Sequence, residues 1–194
     1  MNDFVKYQAI AIGASAGGLA ALAEIFAALP ENFPLPILVA QHLHFNQDDG
    51  YLKYFANRTL LPVKDADDKE RIKRGHIYFA PPNYHLLVEK DQTLSLSVDP
   101  RVKYSRPSID VLFESAADIF SSLLIGIVLT GANDDGAMGL KAIKERGGLA
   151  IVQAPATAEV DCMPRSAIAT GAVDHILPLT EIGPFLCALV TPKD

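Results

Sequence analysis

The chain has 194 residues, 49% hydrophobic and 21% charged, which suits one packed domain and argues against a disordered chain. Its 17 basic and 23 acidic residues give a formal charge of -6, which argues against nucleic acid as the partner, because phosphate binding needs clustered Lys and Arg. The two cysteines, Cys162 and Cys187, form neither a metal spacing nor a disulfide framework, and no apolar run approaches the about 18 residues of a membrane span.

Tyr7 to Ile12 is a short apolar run, stopped by Gly13-Ala14-Ser15-Ala16-Gly17-Gly18. Leu22, Ile25, Phe26 and Leu29 follow at helical spacing, so strand, glycine turn and helix are expected in that order. Pro30 and Pro34 end the helix, and Pro36-Ile37-Leu38-Val39-Ala40 reads as a buried strand ending at Gln41-His42. Such a β-α-β unit specifies a parallel pair with a right-handed crossover. Gly50 to Thr59 suits a helix. Asp65-Ala66-Asp67-Asp68 and Lys69-Glu70-Arg71-Ile72-Lys73-Arg74 read as a solvated charged loop, with a partner-docking patch as the alternative.

The middle of the chain changes rhythm. His76 to Phe79 is strand-like and stops at Pro81-Pro82, while Tyr84–Glu89 and Thr93–Val98 flank the turn-like Lys90-Asp91-Gln92. Alternation in the second of these segments predicts an antiparallel hairpin added to an otherwise parallel sheet. Helices are expected at 108–120, 137–145, 164–170 and 179–189, and strands at 123–129, 149–153 and 173–177. The fold expected is α/β: a doubly wound, mainly parallel sheet in a three-layer αβα sandwich. It forms one domain over residues 1–194, with its core at about 7–189.

Ligands of open parallel sheets bind beyond the carboxyl ends of the strands. Three expected strands deliver polar residues to that edge: Ser15, His42, and the pair Asp134 and Asp135. Serine, histidine and aspartate are the groups that acyl transfer through a serine nucleophile requires. Gly13-x-Ser15-x-Gly17 has the form of a nucleophile elbow, with N–H groups at the helix start available to an oxyanion. The same residues also suit a helix-capping serine or a phosphate-binding turn. His42 is the best placed base. His44 shares its face if the strand continues, whereas His76, His85 and His175 read as packing or surface residues. Composition and spacing leave Asp134 and Asp135 undecided, and the order Ser…His…Asp differs from that of the α/β-hydrolases.

These segments resemble the catalytic domain of the bacterial chemotaxis protein-glutamate methylesterases, the CheB methylesterase family. The resemblance rests on Ala11–Gly18, Val39-Ala40-Gln41-His42, Ala80–Leu86, Arg106–Phe113, Leu129-Thr130-Gly131 through Asp135-Gly136-Ala137, and Met163-Pro164-Arg165. It implies Ser15 as nucleophile and His42 as general base. The third partner is Asp135, because the family's aspartate directly precedes the glycine. Backbone N–H groups of Ala16 and Gly17 become the oxyanion candidates, with no metal and no organic cofactor. The implied substrate is the glutamate methyl ester of the cytoplasmic domain of methyl-accepting chemotaxis receptors, and some family members also deamidate receptor glutamines. A cytoplasmic protein without membrane insertion is expected.

Two departures stand out: Ala132-Asn133 replaces the family's usual Met-Gly, and Ala16 stands where threonine is common. Family members often carry an N-terminal receiver domain. Ser15 lies so near residue 1 that a stand-alone enzyme or an excised catalytic domain is expected. The competing readings are a serine hydrolase for another acyl substrate and a binding module that keeps the fold without the chemistry.

Overall fold

The computed structural model describes residues 6–42 and 50–191. Its first half runs β1 (Ala9–Ala14), α1 (Gly18–Ala27), β2 (Ile37–Gln41), α2 (Gly50–Ala56), β3 (Val63–Asp65) and β4 (Ile77–Phe79). A hairpin of β5 (His85–Val88) and β6 (Leu94–Ser97) follows, then α3 (Ile109–Phe120), β7 (Leu124–Val128) and α4 (Ala137–Glu145). The chain ends with β8 (Leu149–Gln153), α5 (Cys162–Ala169), β9 (His175–Leu177) and α6 (Leu179–Val190). Seven strands pair in parallel in the order β3-β4-β2-β1-β7-β8-β9. From β7 the chain moves outward through β8 and β9, while on the other side of β1 the strand β4 inserts between β2 and the edge strand β3. The change of direction falls between β1 and β7, where loops leaving the sheet diverge and open a crevice.

The expected hairpin forms, with Leu86 opposite Leu96 and Val88 opposite Leu94. It stands as its own two-stranded sheet, so the main sheet is parallel throughout. Pro81 and Pro82 cannot donate to a ladder and lead the chain away from β4. Buried Leu86, Val88 and Leu94 then join the core that contains α3. The short strand β3 had no sequence signature, because Val63-Lys64-Asp65 is only half-buried and carries two charges, as edge strands do. Nor is the charged stretch after it a free loop. Lys64 binds Asp67 and Glu70 at 2.7 and 2.9 Å, and the backbone of Lys69 and Glu70 pairs with Leu94 of the hairpin.

Two apolar cores cover the two faces of the sheet. Ile10 and Ile12 of β1 pack with Leu22, Ile25 and Phe26 of α1, Phe55 of α2 and Ile182 and Leu186 of α6. Ala9 and Ala11 face the other way, toward Leu112, Phe113 and Ala116 of α3 and Leu140 and Ile143 of α4. Alternation along β1 therefore puts bulky side chains on one face and small ones on the other. Small residues let α3 lie close to the strand. At Gly13 a Cβ would run into Ile109, the first residue of α3, so glycine here sets how near the helix start approaches the carboxyl end of β1.

Gly13→Ala is expected to force Ile109 aside and to lower stability by about 1–3 kcal/mol, the usual cost of overpacking a core. The shift of the urea unfolding midpoint measures it.

Candidate active site

Ser15 follows β1 directly. Its backbone N–H donates to the Thr130 carbonyl at 2.9 Å, and its carbonyl accepts from the Gly18 N–H at 2.8 Å. The turn is therefore pinned both to the strand-β7 side and to the first residue of α1. On the β2 side, Gln41 is buried, and its side-chain Nε2 donates to the carbonyls of Ser15 and His42 at 2.9 and 3.0 Å. One carboxamide thus ties the serine turn to the histidine. Gly18 makes room for it, since a Cβ there would strike the Gln41 Oε1. That oxygen is buried and has no hydrogen-bond partner among the described residues.

The His42 ring lies between two groups. Its Nδ1 is 3.1 Å from the Ser15 Oγ, and its Nε2 is 2.9 Å from the Asp135 Oδ2. The His42 side chain is 13% exposed and that of Asp135 is fully buried. Asp135 Oδ1 accepts from the Ser108 hydroxyl at 2.9 Å and the Asp110 N–H at 3.0 Å, while Oδ2 also accepts from the Ile109 N–H at 2.7 Å. Ser108 is the N-cap of α3, so the carboxylate sits on the orphan donors of a helix N-terminus, where a negative charge is favoured. Burial by itself pushes the Asp135 carboxyl upward. The hydrogen bonds from His42, Ile109 and Asp110 together outweigh it and hold the group below its ordinary 3.8. An ionised Asp135 fixes the proton of neutral His42 on Nε2, leaving the Nδ1 lone pair for the serine hydroxyl.

The two aspartates that composition and spacing left open, and of which the resemblance implies Asp135, part here. Asp134 has a side chain 62% exposed, bound by Lys103 at 3.1 Å, whereas Asp135 touches the imidazole. Asn133, one of the departures from the family pattern, accepts the Asp135 N–H through its side chain at 3.2 Å and so supports this turn. Ala16 and Gly17 lie at the start of α1. Among the described residues no acceptor is found for their N–H groups. His76 stacks on Tyr78 and His175 lies against Phe185, away from this cluster. His44 lies outside the described residues.

Sequence reasoning missed several supporting groups. His85, read as packing or surface, is buried. Its Nδ1 accepts the Ser108 N–H at 3.1 Å, and its Nε2 donates to the Pro100 carbonyl at 3.2 Å. It therefore holds the residue that caps α3 and bonds Asp135. Thr130, also buried, donates its hydroxyl to the Ala16 carbonyl at 2.8 Å and accepts the Val160 N–H at 2.9 Å. Met163 packs its sulfur on Gly131, the residue that faces the Ser15 Cβ. Composition and spacing gave none of these roles, although all four residues, with Ser108, lie in the segments that carry the resemblance. Among the described residues no group of three or more His, Cys, Asp and Glu side chains is placed to hold a metal ion, and no helix is long and apolar enough to cross a membrane.

A hydroxyl, an imidazole and a buried carboxylate joined in series at the carboxyl edge of a parallel sheet are the arrangement of a serine hydrolase. Comparison with known proteins narrows this. Residues 10–186 match the family described as CheB methylesterase. A Leptospira interrogans protein named for protein-glutamate methylesterase and protein-glutamine glutaminase is 52% identical over 178 residues, 92% of each chain. The protein-glutamate methylesterase FrzG of Myxococcus xanthus is 41% identical over 177 residues, covering 91% of this chain and 53% of its own length. The crystal structure of the Thermotoga maritima CheB methylesterase catalytic domain superposes with a TM-score of 0.91 at 33% identity, covering 94% of this chain and 98% of that one. The chain belongs to the CheB methylesterase family.

Asp135 has a depressed pKa in the folded state, so its contribution to stability is fully present above the unfolded value of about 3.9. That contribution is lost as pH falls through the lower folded value. Asp135→Asn is expected to be less stable at neutral pH and to lose less stability on acidification. Denaturant unfolding followed from neutral to acid pH measures both slopes.

Proposed function

We propose that this protein is a serine esterase that hydrolyses glutamate γ-methyl esters on the cytoplasmic domain of methyl-accepting chemotaxis receptors. The observation that carries the reading is the unbroken contact from the Ser15 Oγ through His42 to Asp135, at 3.1 and 2.9 Å, within a chain of this family. The names of the relatives support the substrate. In this reading Ser15 is the nucleophile, His42 the general base, and Asp135 the group that orients the ring and stabilises its positive charge.

The reaction runs in two halves. As the Ser15 oxygen attacks the ester carbonyl, the Nδ1 of His42 takes the hydroxyl proton. Negative charge gathers on the carbonyl oxygen, toward which the Ala16 and Gly17 N–H groups are the donors on offer at the start of α1. Collapse of this adduct breaks the bond to methoxide, which receives the proton from His42 and departs as methanol. A glutamyl ester remains on Ser15. Water then attacks the acyl carbon, giving its proton to Nδ1. The Ser15 oxygen leaves with that proton, and the receptor carboxylate is free. With a receptor glutamine in place of the ester, the same steps release ammonia. Each uses only the side chains named.

Stabilisation of the imidazolium by a sealed carboxylate is worth most where water cannot screen it. Asp135 therefore acts on the step that places a charge on His42, and its removal lowers kcat rather than substrate affinity.

The test is methanol release from purified methylated receptor by the native protein, Ser15→Ala and Asp135→Asn. Native release is expected, with a fall of about 10⁴-fold or more in either variant. Acyl label retained on Ser15 during a burst would distinguish hydrolysis from binding. Activity on other acyl esters without release from the receptor would move the assignment to a different substrate. No turnover of any ester would leave a binding module.

A further inference from the structure

A second buried carboxylate lies beside the first. Asp110, in the first turn of α3, is 6% exposed. Its Oδ1 accepts the N–H groups of Gly136 and Gly139 at 2.9 and 2.7 Å. Gly136 is the N-cap of α4 and supplies no side-chain cap of its own, so the start of α4 is satisfied from the neighbouring helix. Asp135, one residue before that cap, returns the contact by accepting the Ile109 and Asp110 N–H groups. Each carboxylate therefore caps the helix that carries or follows the other.

Lys103 closes the arrangement. Its Nζ binds the Asp110 Oδ2 at 3.0 Å, the Asp134 Oδ2 at 3.1 Å and the Asp134 carbonyl at 2.9 Å. Residues 134, 135 and 136 are thus gripped in succession, by Lys103, by the start of α3 and by Asp110. The start of α3 also packs Ile109 against Gly13 at the end of β1, but the Ser15 and Ala16 carbonyls are held by other groups, Gln41 and Thr130.

We infer that Asp110 and Lys103 are positioning residues for the reaction: they set the place of the Asp135 carboxylate against the His42 Nε2. The inference rests on the catalytic reading of Ser15, His42 and Asp135. Without Asp110 the Gly136 and Gly139 N–H groups lose their acceptor and the turn relaxes. A displacement of about 1 Å at a reacting group costs up to about 100-fold in rate. Because the serine turn is anchored elsewhere, the loss falls on kcat and leaves KM unchanged.

The experiment compares Asp110→Ala, Asp110→Asn and Lys103→Met with the native protein. Two readouts are taken: kcat and KM for methanol release from methylated receptor, and the low-field proton NMR signal of the His42 Nε2–H bound to Asp135. That signal needs no substrate. Asp110→Ala is expected to lower kcat by about 10- to 100-fold with KM within about 2-fold, and to broaden or remove the low-field proton. Asp110→Asn keeps an oxygen for the two glycine N–H groups and recovers most of both. Lys103→Met, a change at a partly exposed side chain, lowers kcat by about 3- to 10-fold and folds whatever the fate of the other variants.

A low-field signal that stays in place in every folded variant overturns the inference, whether or not kcat falls. So does kcat within about 2-fold of native in Lys103→Met and in each Asp110 variant that folds. If native protein releases no methanol, the substrate reading fails while the proton signal still judges the positioning role.

Discussion

An ionised carboxyl with no access to water is costly to bury, and Asp135 is held by four donors that together meet that cost: the Ser108 hydroxyl, the Ile109 and Asp110 N–H groups, and the His42 ring. Three of the four belong to the start of α3. That helix must therefore lie where its N-terminus reaches the loop after β7, and much of the packing beneath it serves this requirement. Ala9, Ala11 and Gly13 offer a low surface under α3. His85 pins Ser108 from the hairpin side, so the hairpin, separate from the main sheet, becomes part of the support for a carboxylate it never touches.

Strand order explains why the three groups meet although they are spread over 120 residues of sequence, from Ser15 to Asp135. β1 has β2 on one side and β7 on the other. Ser15 leaves the end of the central strand of this trio, His42 the end of one neighbour, and Asp135 the loop after the other. Parallel pairing puts all three ends at the same edge. Ser15 and His42 come from adjacent strands, whereas the His42 ring reaches Asp135 across the end of β1, which lies between β2 and β7.

Much of this was legible in the sequence because it depends on local periodicity. Apolar blocks between glycine and proline turns gave the alternation of strand and helix, and polar residues at strand ends gave Ser15 and His42. What was not legible depends on packing across elements. Asp134 and Asp135 are the same residue type in the same turn, and only the position of Lys103 on one side and α3 on the other sends them apart. His85 and Ser108 are 23 residues apart, and no periodicity marks a histidine as the acceptor of a distant cap. The strand β3 escaped because its half-buried, charged residues carry no apolar signal, and pairing with β4 alone defines it.

The orientation of the imidazole follows from the register of two strands. Nδ1 lies nearer the backbone of its own residue than Nε2 does, so a serine served by Nδ1 must come close to the main chain of the histidine. In β1 and β2, Ala14 pairs with Gln41, and the His42 N–H donates to the Ala14 carbonyl. Ser15 and His42 are therefore the next residues along the same ladder. The Gln41 carboxamide fastens the two carbonyls that follow this last rung, and it does so with its own oxygen left buried and unpartnered among the described residues. This fastening fixes the distance between hydroxyl and base, and Asp135 lies sealed on the far side of the ring.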